Sequence, residues 1–253
     1  MTITCRNNQK RRGAMGTEKG AAEAFQAWAL TYDQTVSKEL ERYAGITHQE
    51  LLDRLLALAQ PQNGDPVLDV GTGTGWAAIR CALAVAGGQI IGVDITPEML
   101  TQAALNAEKV GVRERVHFAP ASAMRLPYPD DAFAVVLSAL ALHHTTVSQS
   151  LAEMVRVLQP GGRLAIADMA APSTWRSAPI SWLIGLLLKA SGLIRNPRTR
   201  AEIAAFRQTY TVPEWRSLLA AQGLGKMQVT AILRPGQRFY PGVVLVSGEK
   251  GAV

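Results

Sequence analysis

The stretch Val67-Leu-Asp-Val70-Gly71-Thr-Gly73-Thr-Gly75 constrains the fold more than any other part of the chain. Val67 to Val70 fits a short buried strand and runs directly into glycines at alternate positions, after which Trp76-Ala-Ala-Ile-Arg-Cys-Ala-Leu83 reads as a helix. Glycines at such a junction let the backbone turn tightly and leave no side chains where a ligand must touch the main chain. Gln89-Ile-Ile-Gly-Val-Asp94 repeats the pattern as a second strand, followed by Thr96 as N-cap, Pro97 in the first turn and Glu98 as first-turn acid. This β-α-β-α alternation predicts an α/β fold, a mostly parallel sheet with helices on both faces.

Further strands are expected near Val116 to Phe118, Ala132 to Ser138 and Arg163 to Asp168, with a helix from Val147 to Leu158 stopped by Pro160-Gly161-Gly162. Before the first strand, residues 21–60 carry helical stripes, Phe25, Trp28 and Ala29 on one and Leu51, Leu52, Leu55, Leu56 and Leu58 on a later one, and form an N-terminal helical cap. Thr211 and Glu214 spell a capping box that opens a late helix. Met227 to Leu233 and Phe239 to Val246 then read as two strands joined by Arg234-Pro-Gly-Gln237, a hairpin at the sheet's end.

The 253 residues suit one α/β domain over 21–253, and 48% hydrophobic residues suffice for its core. A net charge of +6 would suit nucleic acid if it were spread over the body, but residues 1–20 alone hold Arg6, Lys10, Arg11, Arg12 and Lys19 against Glu18. That segment reads as a disordered basic tail, and the body is left with only +2. Cys5 and Cys81 form neither a disulfide framework nor a metal cluster, so no metal is expected. No stretch resembles a signal peptide or reaches the ~18 apolar residues of a membrane span, and a cytoplasmic location is expected.

Asp94 lies 19 residues beyond Gly75 at the end of the second strand, where a carboxylate can accept from both hydroxyls of a ribose. Loop and acid together describe an adenosine-containing ligand at the carboxyl edge of the sheet. Gly73-Thr-Gly75-Trp-Ala-Ala78 also fits a dinucleotide fingerprint, so the loop alone does not choose the ligand.

The wider pattern does. Val67 to Gly75, Gly92-Val-Asp94-Ile-Thr-Pro-Glu-Met99-Leu, Leu126-Pro-Tyr-Pro-Asp-Asp-Ala-Phe133, Leu137-Ser-Ala-Leu-Ala-Leu-His143-His144 and Arg156-Val-Leu-Gln-Pro-Gly-Gly162 follow one another in an order and spacing. That order resembles the class I S-adenosylmethionine-dependent methyltransferases, especially the small-molecule group with the ubiquinone and menaquinone C-methyltransferases. The resemblance covers residues 22 to 170 and implies a Rossmann-like, seven-stranded, mostly parallel sheet with a C-terminal antiparallel hairpin. It also implies S-adenosyl-L-methionine as cofactor. In its terms Asp69, Gly71, Thr72, Gly73 and Gly75 hold the methionine end, Asp94 the ribose, and Ile95 and Met99 the adenine faces. Ser122 and the Ala123 backbone contact the adenine, and Met124 and Ser138 are counted among the cofactor-binding residues. Tyr32 matches an aromatic that covers the cofactor, or is a helix-packing residue. Two departures stand out: Ala121-Ser122-Ala123 replaces a Gly-Asp-Ala, a weaker acceptor for the adenine amino group, and Ala134 replaces an Asp after Phe133.

Methyl transfer from a sulfonium needs alignment and exclusion of water, and a base only where the acceptor must lose a proton. His143 and His144 are two of the four histidines and sit just after the fourth strand, so they are the candidate catalytic residues. The alternative is that His143 packs beside the methionine moiety and His144 caps the next helix. Asp168 is a further candidate acid or base, or a residue that fixes the following loop; His48 and His117 read as structural.

Residues 171–210 read as a lid-like insertion. Ile180-Ser-Trp182-Leu-Ile-Gly-Leu-Leu-Leu188 is apolar on nearly every face, and Lys189, Arg195, Arg198, Arg200 and Arg207 follow against Glu202. Such a segment must be covered by the domain itself, by a second subunit in a homodimer, or by a lipophilic acceptor with the membrane that carries it. The expected acceptor is a small, hydrophobic quinone, polyketide or lipid precursor, with peripheral membrane contact as an open alternative. Two rival functions are a noncatalytic S-adenosylmethionine-binding protein and an NAD-dependent oxidoreductase. Nucleic acid is not an expected partner, because Ser138-Ala-Leu-Ala141 stands where base-flipping enzymes carry an Asn/Asp-Pro-Pro-aromatic block.

Overall fold

The computed structural model describes residues 32–176, 209–234 and 241–252. The expectations for the basic tail, for Phe25, Trp28 and Ala29, for the apolar and basic stretch 180–207 and for the turn at residues 235–237 lie outside them. The helices are α1 (Tyr32–Tyr43), α2 (His48–Ala59), α3 (Trp76–Ala84), α4 (Pro97–Lys109), α5 (Val147–Val157) and α6 (Val212–Ala221). The strands are β1 (Val67–Val70), β2 (Ile90–Asp94), β3 (Val116–Pro120), β4 (Phe133–Ala139), β5 (Leu158–Ala170), β6 (Leu224–Ile232) and β7 (Gly242–Lys250).

They form one seven-stranded sheet in the order β3-β2-β1-β4-β5-β7-β6, mostly parallel as expected. β1 to β5 run parallel, and β7 is antiparallel to both β5 and β6. The predicted hairpin is therefore present, but its second strand enters the sheet next to β5 and leaves β6 at the edge. An antiparallel strand inserted there departs from the 3-2-1-4-5-6 order of dinucleotide-binding sheets.

Strand periodicity sorts the core into two layers. Val67, Val135, Leu137, Ala165, Ala167, Val243 and Leu245 face α1, α2 and α3, where Val36, Leu40, Leu51, Leu52, Leu55, Ile79 and Ala82 pack. Leu68, Val70, Val136, Leu164, Ile166, Val244 and Val246 face α5 and α6, against Leu151, Met154, Trp215 and Leu219. All four residues of β1 are buried, so the turn that follows β1 starts from the most enclosed strand of the sheet.

Several boundaries differ from the sequence expectation. α5 ends at Val157, and β5 begins at once with Leu158, so Pro160-Gly161-Gly162 lies inside the strand rather than closing the helix. Leu158 pairs with Phe133, and the register then shifts before Val135 pairs with Arg163, which accommodates the three residues. Gly161, at φ 75, takes a conformation that side chains resist. Thr96 is the N-cap of α4 but makes no side-chain cap bond. The capping boxes Thr47–Glu50 on α2 and Thr211–Glu214 on α6 are both complete.

Candidate active site

The glycine turn after β1 is held from every side. Gly71, Gly73 and Gly75 all have positive φ, at 70°, 52° and 87°. Thr72 N–H donates to Val93 O at 2.8 Å, and Gly75 N–H donates to Thr72 O at 2.9 Å. Asp69 is buried below: one carboxylate oxygen, Oδ2, accepts from Thr72 Oγ1 at 2.6 Å and from Ala78 N–H at 3.1 Å. Its other oxygen, Oδ1, is buried without a protein partner. Burial pushes the Asp69 carboxyl up to about 7, against the pull of those two donors.

Asp94 closes the turn from β2. Its Oδ2 accepts from Gly73 N–H at 2.9 Å and its Oδ1 from Thr96 N–H at 2.8 Å, so one carboxylate fixes both the glycine turn and the entry to α4. Burial raises its pKa while these amides lower it. Each carboxylate oxygen has a second lone pair, which leaves acceptor capacity for a ligand's hydroxyls.

Above the turn lies a cleft of about 600 Å³, lined by Tyr32, Gly71, Gly73, Asp94, Ile95, Thr96, Met99, Ala121, Ala123, Leu140, Ala141, His144 and Thr145. A Cβ on Gly71 would come within 2.3 Å of the Ala141 Cβ, so the turn and the end of β4 approach as closely as backbone allows. Leu140, at φ 55, holds a left-handed conformation that costs a bulky residue of the order of 1–2 kcal/mol, and its N–H donates to Ala167 O at 2.7 Å. The strained residue thus turns the chain from β4 into the wall of the cleft.

The two histidines follow in a 3-10 turn, Leu142–His144. Asp168, buried at the end of β5, accepts from the His143 backbone N–H at 3.0 Å through Oδ2, and the His143 Nδ1 faces its Oδ1 in a short hydrogen bond. An Nδ1–H committed to a carboxylate leaves the lone pair of the neutral ring on Nε2. The two rings lie 4.1 Å apart, centre to centre. His144 lines the cleft, and burial, then the neighbouring His143, holds its pKa well below the usual imidazole range.

Residues 68–166, the segment that contains this turn, β2 and the histidines, match the family model described as a methyltransferase domain. The chain is 32% identical over 158 residues to the ubiquinone/menaquinone biosynthesis C-methyltransferase UbiE of Marinomonas sp., covering 62% of this chain and 61% of that one. It is 41% identical over 119 residues to the 27-O-demethylrifamycin SV methyltransferase of Amycolatopsis mediterranei, covering 47% and 43%. Among solved structures, YcgJ of Bacillus subtilis superposes with a TM-score of 0.62 at 24% identity, covering 81% of this chain and all of that one. Core, order of motifs and sheet agree. Over residues 68–166 the chain resembles a methyltransferase domain, and its sheet has the fold of the class I methyltransferases. The chain spans between 43% and 61% of the length of the two curated relatives just named.

Around this cleft the sequence-predicted residues divide into two groups. Tyr32, Gly71, Gly73, Asp94, Ile95, Met99, Ala123 and His144 line the cleft. Asp69, Thr72, Gly75, Ser122, Met124, Ser138 and His143 do not line it and lie behind its wall. Ser138 is fully buried and donates to Val70 O at 2.7 Å, tying β4 to β1. Ser122 Oγ accepts from Met124 N–H at 3.2 Å within its own turn. A Cβ on Gly75 would meet Ala103 and Phe118 at 2.8 and 2.9 Å, so that glycine is required by packing of α3 against α4 and β3. His144 is not the cap of α5, whose N-cap is Thr146. His117 is an exposed residue of β3, and His48 opens α2, where burial lowers its pKa.

Leu140, Ala141 and Thr145 are wall residues that sequence reasoning missed, because apolar and hydroxyl side chains after a strand carry no chemical signature. Asn106 is another missed contributor. Buried on α4, it donates through Nδ2 to Thr74 O at 2.9 Å and pins the far side of the glycine turn. Among the described residues no cluster of His, Cys, Asp and Glu could hold a metal ion, and no helix is long and apolar enough to cross a membrane.

Proposed function

We propose that this chain transfers the methyl group of S-adenosyl-L-methionine to a small lipophilic acceptor of the quinone, polyketide or lipid class. The observation that carries the reading is one cleft in which Gly71, Gly73, Asp94 and His144 share the wall, inside a methyltransferase domain. The residues present fit the cofactor: the positive-φ glycines bare the main chain, and the buried Oδ1 of Asp69 lacks a protein partner and suits a cationic amino group. Bound there, the cofactor supplies an electrophilic methyl carbon on a sulfonium.

In this reading the turn and Asp69 hold the methionine end, and Asp94 accepts from the ribose hydroxyls. Ile95 and Met99 flank the adenine, whose edge is bounded by Ala121 and Ala123, and Tyr32 covers the cleft. Transfer requires the acceptor in line with the methyl group and the exclusion of water, which apolar Leu140 and Ala141 provide on the far wall. For an acceptor that must lose a proton, the base belongs to the histidine pair: Asp168 orients the His143 ring, which lies against His144 in the cleft wall. His144, kept neutral by burial, is the member of the pair that lines the cleft.

The acceptor class rests on the relatives, one named for a menaquinone and ubiquinone pathway and one for a rifamycin, and on the apolar stretch Ile180 to Leu188 with the basic residues that follow. Covering that stretch by a second subunit or by the membrane surface belongs to the same proposal. The test is transfer of labelled methyl from S-adenosylmethionine to a panel of quinols, phenolic polyketides and prenylated lipids. Label moving into a lipophilic acceptor supports the reading. Transfer only to polar amines, or to none while cofactor binds tightly, would overturn the acceptor class or the enzyme.

A further inference from the structure

The carboxylate of Asp33, in the first turn of α1, spans the two residues on either side of Gly75. Its Oδ1 accepts from Thr74 Oγ1 at 2.6 Å and its Oδ2 from the Trp76 indole Nε1–H at 2.8 Å. These bonds join segments 41 and 43 residues apart in sequence. Thr74 is buried at 3% exposure, so its hydroxyl needs a protein acceptor, and the carboxylate serves it and the indole at once.

The glycine turn does not need this bridge for its own shape. Asp69, the Val93 carbonyl, Asp94 and Asn106 already bond to it from below and from α4. What the bridge fixes is α1. Val36 and Leu40 bury the middle of that helix in the core, and Asp33 fastens its first turn to the rim of the cleft. Tyr32 is the neighbouring residue and lines the cleft, with its Cε1 3.9 Å from where a Cβ on Gly73 would stand.

We infer that Asp33 is a positioning residue that, by bridging Thr74 and Trp76, holds Tyr32 as the roof of the cofactor cleft and so sets how long the cofactor stays bound. The inference rests on the cofactor reading given above. A roof fastened by a charge-assisted pair of bonds opens less often, so its loss acts on dissociation rather than on encounter.

The experiment is stopped-flow and calorimetric binding of S-adenosylhomocysteine to the full chain. Asp33→Ala is expected to speed dissociation by roughly tenfold, the effect of losing hydrogen bonds to a charged group, with association nearly unchanged. Asp33→Asn should restore most of the retention, because its oxygen accepts from the indole while its amide donates to Thr74. Thr74→Val removes one bond at nearly constant shape and should speed dissociation several-fold, and combining it with Asp33→Ala should add little. A lower melting temperature with wild-type dissociation in Asp33→Ala and Thr74→Val would make the bridge merely structural and overturn the inference. If Asp33→Ala does not fold, Thr74→Val decides alone. A wild-type chain that binds no S-adenosylhomocysteine would instead sink the cofactor reading and this inference with it.

Discussion

The two walls of the cleft are built differently. The wall from the β1 turn and β2 is main chain held by its own strands: Thr72 on Val93, Gly73 on Asp94, Ala78 on Asp69. The wall from the end of β4 relies on side chains placed from a distance, with Leu140 strained against Ala167 and His143 fixed by Asp168, 25 residues away. The first wall presents amides and acceptors in fixed positions and suits recognition of a ligand common to many enzymes. The second concentrates strain and a buried carboxylate at an imidazole, the arrangement that aims a reactive group.

The contrast can be broken most severely at Gly71. Gly71→Ala places a methyl against Ala141 in a conformation that side chains resist, and should destabilise the chain by about 2–5 kcal/mol. Chemical denaturation reads this directly, and a midpoint equal to wild type would mean that the walls do not touch as described. Asp94→Ala comes next, with affinity for S-adenosylhomocysteine falling by about 100-fold as two hydroxyl acceptors vanish. Calorimetry showing an unchanged dissociation constant would place the ribose elsewhere.

On the opposite wall the expected losses are in turnover. His143→Ala should lower kcat for a proton-losing acceptor by about 100-fold, and Asp168→Asn by a smaller factor, with cofactor affinity within about threefold. Equal loss of cofactor affinity in both variants would erase the distinction between binding wall and reacting wall.

Asp69 sharpens the first wall through pH. Burial raises its carboxyl to about 7, above the ordinary carboxylate range, so the native state keeps a proton that the unfolded chain has released. Stability is therefore greatest at low pH on account of this group, and declines as pH rises towards about 7. A cationic cofactor favours the ionised form, so binding should tighten by up to about tenfold per pH unit below that value and level off above it. Asp69→Asn should flatten the profile; a slope that survives the substitution would assign the titration to another group. The smallest effect expected is away from both walls: Thr211→Ala opens the capping box of α6 and should cost about 1 kcal/mol in thermal or chemical unfolding.

The same contrast explains what could be read from the sequence. β1, the glycine turn, Asp94 and the Thr211–Glu214 capping box are local patterns in which neighbours specify one another, so they are visible in a linear reading. The start of β5 was not, because Pro160-Gly161-Gly162 ends helices in isolation, and only pairing of Leu158 with Phe133 draws the segment into the sheet. The place of β7 inside the sheet was hidden for a similar reason: two adjacent strands reveal a hairpin but not which of them meets β5. At the site, Asp33 and Asn106 act across 32 to 43 residues through ordinary polar side chains, and no spacing announces such bonds; Asp168 was legible as a candidate, but not its bond to His143.

The most direct measurement of the central claim is calorimetric titration of the chain with S-adenosylmethionine, S-adenosylhomocysteine and NADH in parallel. The account predicts saturable binding of both sulfur compounds at one site per chain and no heat from NADH. Binding of NADH alone would contradict it and mean that the glycine turn and Asp94 serve a dinucleotide.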